Sequence, residues 1–422
     1  MKTNILIILL FSSLFPVSIN KIQINGNDAT KEHIILREIQ HPIPHKFSDS
    51  LRIEDQNRLY NLGIFSFVEI KQYENDYQIN VIEVPRYYPL PLLDFDESKG
   101  KDGTSYGLAL KILNLHGKNR DLELGGMFGN QNIYFLRFHD PWIAGDHISL
   151  DIRLYKFLSN SFYYHHNIEE SYQFKINGFE FGSGFNIGNN NKFNFDISLT
   201  EKYLNTDLGE INFASEFNYY QNFGIASNYS FDTRNIYNDP TDGILFNISL
   251  EYFLGLNKTE SYSSIECGIQ KYTKLSNYRD ITLINKLKLL FQNENHIPYF
   301  NIESLGGEDF IRGYNPYPTK NPEKVINRIR ASQIISNSIE IQYTLIEKQT
   351  INNMEIGLDQ IWFFDIGLGG QEKNELKIKK PIIGYGVGFR LFVSGVGTIG
   401  LDFGFNPYSN SPQIHISDGQ DN

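Results

Sequence analysis

The sequence predicts a mainly β protein: a transmembrane antiparallel β-barrel of about 16 strands, preceded by one small α+β module of order β-α-α-β-β. Three observations predict it. From Arg86 onward, apolar and polar residues alternate with period two in one segment after another, separated by Gly, Asn, Asp and Lys clusters, with no convincing amphipathic helix. Many of these segments are long, with one apolar and one charged face. That suits a strand between lipid and a wet lumen, whereas a soluble sandwich uses shorter strands with a mixed outer face. Aromatic residues make up 14% of the chain, with 32 Phe and 26 Tyr beside 34 Gly, the residues of interfacial girdles and tight turns.

Composition narrows the alternatives. After the N-terminus no apolar run reaches the roughly 18 residues of a membrane helix, which excludes a helical membrane protein. The net charge of -11 argues against non-specific nucleic-acid binding, which needs a basic footprint. The single cysteine, Cys267, allows no intrachain disulfide and reads as a small apolar residue, buried or facing lipid. Residues 1–20 read as a secretory signal: Lys2 supplies the positive start and Ile5 to Phe15 an apolar core too short to span a bilayer. No Cys follows that core, so a lipoprotein attachment site is not expected.

The α+β module occupies residues 21–85. Ile22 and Ile24 alternate as a strand that ends at the turn pair Gly26-Asn27. Thr30 is the expected N-cap of a first helix carrying Ile34, Ile35 and Ile39, which His41-Pro-Ile-Pro44 breaks. A second helix starts near Ser48 or Asp49, with Leu51, Ile53, Leu59 and Leu62 as its core contacts and Gly63 at its end. Phe65–Ile70 and Tyr77–Val84 then alternate as strands around the turn Glu74-Asn75-Asp76. The stretches "IQINGNDATKEHIILREI", "NRLYNLGIFSFVEI" and "INVIEV", in this order, resemble a POTRA domain. The resemblance implies an exposed strand edge that takes extended client chains by β-augmentation.

The barrel occupies residues 86–422. Ile148, Leu150, Ile152 and Leu154 alternate with Ser149, Asp151 and Arg153; Phe193, Phe195, Ile197 and Leu199 alternate with Asn194, Asp196, Ser198 and Thr200. The same holds for Ile244 to Tyr252, where Leu245 is the one apolar residue on the polar face, and for Ile339 to Leu345. Dividing roughly 335 residues by about 21 per strand and connection gives about 16 strands, an even number that suits closure.

One connection, between strands near 291 and 334, is far longer than a hairpin needs. It holds Leu305-Gly-Gly-Glu-Asp-Phe-Ile311-Arg312-Gly313-Tyr314. Five strands before the end, this run resembles the inward-folded loop motif of the bacterial surface antigen and outer-membrane assembly factor superfamily, in a short form with one POTRA domain. Phe363-Phe-Asp365-Ile-Gly367 resembles that family's Phe-x-Asp-x-Gly strand, "YGLALKILNLHG" its barrel start, and "FDTRNIYNDPTDGILFNISLEY" its Asp-x-Arg, Asp-Pro-x-x-Gly hairpin. The final "QIHISDGQDN" alternates but lacks the usual terminal aromatic.

Alternation turns Trp362, Phe364 and Ile366 to lipid and Phe363, Asp365 and Gly367 to the lumen. On the next two strands Gly384, Gly386, Gly388 and Arg390, then Gly400, Asp402 and Gly404, face inward. Glycine weakens a strand, so a glycine-lined wall points to close approach by another segment. The expected site is therefore Ile311, Arg312, Gly313 and Tyr314 packed on this wall, with Arg312 paired to Asp365, since a guanidinium in a partly dry lumen needs a carboxylate.

No catalytic, metal or cofactor site is expected. No Gly-x-Ser-x-Gly elbow, His-Glu-x-x-His or Cys-x-x-Cys spacing, P-loop or dinucleotide fingerprint is anticipated. His165-His166 reads as an exposed loop pair, and Asp151, Asp196 and Glu251 as a hydrated lumen rather than an acid/base pair. The resemblance implies insertion or translocation of client proteins at the bacterial outer membrane, with the POTRA domain in the periplasm. The first strand, near 87–95 with Pro89 and Pro91, and the last, near 412–419, would form a weakly zipped seam that offers clients an open edge. The expected partners are the lipid bilayer, unfolded barrel or exported clients, and periplasmic chaperones or lipoproteins, but not nucleic acid. Two other readings stand beside it: a substrate-specific secretion pore, as in two-partner secretion, and a passive channel or surface antigen.

Overall fold

A computed structural model describes residues 18–95, 104–144, 147–165, 168–205, 219–257, 259–276, 280–293, 297, 301–314, 331–370, 376 and 381–417. Most of the expected secretory signal and the second histidine of the His165-His166 pair lie outside the described residues.

The N-terminal module contains β1 (Ser18–Ile19), β2 (Lys21–Asn25), α1 (Glu32–Leu36), β3 (His45–Lys46), α2 (Asp49–Asn61), β4 (Phe65–Tyr73) and β5 (Asp76–Glu83). Its three-stranded sheet has the order β2-β5-β4, with β2 parallel and β4 antiparallel to β5. Ile34, Ile35, Leu59, Ile64, Phe65, Ile70, Tyr77 and Ile79 bury between helices and sheet. Ile19 is fully buried with them, so packed structure begins ahead of residue 21.

Several local expectations shift. Ser48 caps α2 by accepting the Leu51 N–H, but Lys31, not Thr30, holds the N-cap position of α1. Thr30 is buried and instead accepts the Asn114 side-chain amide at 2.7 Å. Ile53 is half exposed, while Asp55 is fully buried. The helical phase explains the exchange: positions 55, 59 and 62 share one stripe, and position 53 points away. The Asp55 carboxylate accepts the backbone N–H of Gln40 at 2.8 Å, that of His41 at 3.2 Å and the Tyr77 hydroxyl at 2.9 Å, tying the segment after α1 to the sheet.

The barrel sheet has 16 antiparallel strands in simple sequence order among the described residues. They are β6 (Tyr87–Phe95), β7 (Thr104–Ile112), β8 (Asp121–Gly129), β9 (Gln131–Ala144), β10 (Ile148–His165), β11 (Ile168–Ile187), β12 (Asn191–Asn205) and β13 (Tyr219–Asp232). Then follow β14 (Gly243–Leu256), β15 (Tyr262–Ser276), β16 (Ile281–Gln292), β17 (Gln333–Ile351), β18 (Met354–Gly370), β19 (Ile382–Val393), β20 (Gly397–Phe405) and β21 (Gln413–Ser417). Outward rows such as Phe195, Ile197 and Leu199, or Trp362 and Phe364, remain exposed. So large an apolar belt is what a lipid-facing surface requires. Cys267 lies in such a row between Ile265 and Ile269.

The inner faces enclose a polar lumen of about 1870 Å³, lined in part by Asp151, Asp196 and Glu251. Leu245, expected on the polar face, is buried and lines it. The module sits against one mouth of the barrel. Gln40 and Asn189 exchange amide hydrogen bonds at 2.7 and 2.8 Å, Tyr60 donates to Glu355, and the Arg37 guanidinium lies 4.2 Å from the Trp142 ring centroid. Where the sheet ends would meet, no β6–β21 pairing occurs among the described residues. Among the described residues β21 pairs with β20 from Gly404 to Gly400.

Candidate functional site: an arginine loop on a glycine-lined wall

The connection after β16 turns back into the lumen at the end opposite the module. The Ile311 N–H donates to Leu305 O at 3.1 Å and the Gly307 N–H to Ile311 O at 3.2 Å, closing a tight loop. Gly307 has φ 119°, which suits glycine. Leu305, Phe310, Ile311 and Tyr314 bury against Leu290, Ile334 and Ile382, and the Tyr314 hydroxyl donates to Ile383 O at 3.0 Å. The loop is thus held by apolar packing before any charge is counted.

Arg312 projects from this loop onto β17, β18 and β20. Its Nε donates to Asp365 Oδ2 at 2.9 Å and its Nη2 to Asp365 Oδ1 at 2.8 Å, a bidentate fork. Its backbone N–H reaches Asp365 Oδ2 at 3.0 Å. Nη2 also meets Ser338 Oγ at 3.0 Å and Glu340 Oε1 at 2.7 Å, and Nη1 meets Asp402 Oδ2 at 3.1 Å. The guanidinium stacks 3.6 Å from the Phe363 ring centroid. Arg390 holds Asp402 at 2.6 and 2.9 Å, and Lys286 pairs with Glu340 at 3.3 Å. Lys286, Arg312 and Arg390 therefore balance Glu340, Asp365 and Asp402. Burial without this balance would be prohibitive, since Asp365 is 0% and Glu340 2% exposed.

The glycines serve two purposes. A Cβ on Gly384 would lie 1.9 Å from Arg312 O, one on Gly404 2.3 Å from Gly313 N, and one on Gly367 2.9 Å from Ile311 Cδ1. These three make room for the loop. At Gly386 the Phe363 ring approaches, at Gly388 the Asp402 carboxylate, and at Gly400 Arg390 and Ser417; these three seat side chains of the wall itself. Gly313, with φ 93°, donates its N–H to His415 Nε2 at 2.9 Å, and Asn406 donates to its carbonyl.

Every expected site residue lies in or beside this cluster. Sequence reasoning missed the roles of Lys286, Ser338, Glu340, Asn406 and His415. Glu340 carried one available signal, its place on the inward face of an alternating strand. The expected absence of a Gly-x-Ser-x-Gly string needs correction: Gly103-Thr-Ser-Tyr-Gly107 carries it. Ser105 is fully buried in β7 and its hydroxyl accepts the Gln131 N–H at 2.9 Å, without the strand-to-helix turn that exposes a nucleophile. Gly395-Val-Gly-Thr-Ile-Gly400 likewise has dinucleotide-fingerprint spacing, but it runs from the β19–β20 turn into β20 and opens no helix.

Comparison with known proteins agrees with this architecture. A family model for the Omp85 superfamily domain matches residues 114–421, and a POTRA model, described as surface antigen variable number repeat, matches residues 17–84. The chain is 26% identical over 207 residues to the outer membrane protein assembly factor BamA of Buchnera aphidicola subsp. Acyrthosiphon pisum (strain APS), a match covering 47% of this chain and 33% of that protein. Among solved structures, BamA from Haemophilus ducreyi lacking POTRA domains 1–3 superposes with a TM-score of 0.56 at 16% identity, covering 95% of this chain and 83% of that one. CdiB from Escherichia coli gives 0.56 at 11% identity, covering 94% and 75%. With a matching model over most of its length, the chain belongs to the Omp85 superfamily, as an outer-membrane β-barrel with a POTRA domain on its periplasmic side.

Proposed function

We propose that the protein inserts or translocates client proteins at the outer membrane, taking them on the POTRA domain of residues 21–85 and passing them to a lateral seam in the barrel of residues 86–422. One observation carries the reading. The two terminal strands of a single 16-stranded sheet, β6 and β21, show no pairing with each other among the described residues. Unpaired strand edges are templates for another chain's backbone. Pro89 and Pro91 lie in β6 and remove donors there. The arginine network ties together β17, β18 and β20, and His415 on β21 touches the same loop, so the wall beside the seam is held while no backbone pairing joins β6 to β21 among the described residues. The driving force would be backbone pairing and burial of the client's apolar face in lipid; the reading assigns no chemical step.

The test locks the seam. Leu93→Cys on β6 and Ile414→Cys on β21, both exposed, are joined by a short thiol crosslinker in a Cys267→Ser background, and folding of an unfolded client barrel into vesicles is followed. Loss of client folding on locking, with recovery on release, supports the seam. A locked protein as active as the open one refutes it. Depletion in the native host then separates the readings: broad loss of barrel proteins marks general assembly, loss of a few surface proteins a dedicated exporter, and an unchanged outer-membrane proteome a passive channel.

A further inference from the structure

The mid-barrel Asp-x-Arg, Asp-Pro-x-x-Gly segment is not absorbed by the arginine-loop site. It forms the turn 233–242 between β13 and β14, the eighth and ninth strands of the barrel. The turn is built before it meets anything else. Arg234 clasps Asp232 through Nε at 3.0 Å and Nη2 at 2.7 Å and donates to Tyr237 O at 3.2 Å. The Asn235 side chain accepts the N–H groups of Thr241 and Asp242 at 3.1 and 3.3 Å and donates to Thr241 Oγ1 at 2.9 Å. Gly243 closes it with φ 112°, where a Cβ would stand 2.4 Å from Thr233 O.

This preformed turn does not stay beneath its own strands. Asp239 accepts from Gln342 Nε2 at 2.9 Å and pairs with Lys348 at 2.8 Å, both on β17. The Asn238 carbonyl accepts the Thr398 hydroxyl of β20 at 2.6 Å. Asn61, at the end of α2, donates to Asn235 O at 3.2 Å and accepts the Tyr237 N–H at 2.9 Å. β17 and β20 are the twelfth and fifteenth strands, so the contacts run across the periplasmic mouth to the far wall. Arg234, Tyr237 and Asn238 line the lumen together with Asn61, Leu62 and Gly397.

We infer that residues 233–242 form a strap that, with α2, closes the periplasmic floor of the lumen and keeps the barrel from conducting solutes. The inference stands on the barrel geometry and is independent of the client-insertion reading. It gives the motif a physical purpose: Asp232, Arg234 and Asn235 hold the strap's shape, and Asn238 and Asp239 fasten it to the opposite wall.

The test is single-channel conductance of the full chain in planar bilayers, with heat-shifted electrophoretic mobility as the check on folding. Wild type should be almost always closed. Gln342→Ala with Lys348→Ala, which frees Asp239 while leaving the strap's own bonds in place, should raise open probability at least about tenfold, the shift that loss of about 1.4 kcal/mol gives. As a second measurement, Asn238→Cys with Thr398→Cys in the Cys267→Ser background fixes the strap by a disulfide. Openings provoked by mild urea should vanish when it is oxidised and return on reduction. A folded double-alanine variant that conducts no more than wild type overturns the inference. So does an oxidised protein that opens as often as its reduced form.

Discussion

Replacing Arg312 by alanine is the sharpest perturbation of the arginine-loop site. The side chain donates two bonds to Asp365 and one each to Ser338 and Asp402, and pairs with Glu340 at 2.7 Å. Without it, Lys286 and Arg390 face Glu340, Asp365 and Asp402, and a buried negative charge is left uncompensated. Breaking a buried ion pair from one side costs about 3–5 kcal/mol. Arg312→Lys keeps the charge but not the fork, so it should cost less, about 1.5–3 kcal/mol for the charge-assisted bonds it cannot make. The apolar anchors Leu305, Ile311 and Tyr314 remain, so the loop should loosen rather than leave the lumen. Urea unfolding of the full chain in lipid vesicles reads this directly, because Trp362, one of only two tryptophans, lies on β18 three residues from Asp365. A double-mutant cycle with Asp365→Asn should return a coupling above about 1.5 kcal/mol. Arg312→Ala within about 0.5 kcal/mol of wild type, or a coupling near zero, would refute the claim that this pair holds the loop.

Gly384→Ala sets a Cβ 1.9 Å from a loop carbonyl; it should destabilise by about 1–3 kcal/mol and make the 305–314 loop more open to protease cleavage. Asp55→Ala orphans two backbone N–H groups and the Tyr77 hydroxyl in the POTRA core; at about 1–3 kcal/mol for each unmet bond, hydrogen exchange at Gln40 and His41 should accelerate sharply while the barrel's stays unchanged. The Tyr60 phenol is held above its ordinary range by burial and then by its bond to Glu355. A raised folded pKa contributes docking stability that is complete below about pH 10 and is lost as the pH climbs beyond it. POTRA–barrel docking, followed by an inter-domain fluorescence pair, should therefore weaken in strong alkali, and Tyr60→Phe should flatten that dependence.

Much of this molecule is written locally in its sequence. Period-two alternation decides which side chains face lipid and which face the lumen, because successive Cβ atoms on a strand point to opposite sides. That is why the alternation alone sets Trp362 toward lipid and Asp365 toward the lumen, and why about 16 strands are legible in the sequence. Helix phase is also local and turns position 55 rather than 53 to the core; that a carboxylate can be buried there is not, because it needs the two N–H groups and the hydroxyl that converge on Asp55. Glu340 shows the same limit in the barrel. Its inward direction is local, but which inward residues share a level depends on register and shear, properties of the whole sheet rather than of any strand. The returning loop set Arg312 among three carboxylates from three strands, and a turn from the eighth and ninth strands reached the fifteenth. Alternation determined the faces; the curling of the sheet, with the loop and turn that fold back across it, decided which residues meet in the lumen, since those meetings join positions about 26 to 160 residues apart that no local pattern can bring together.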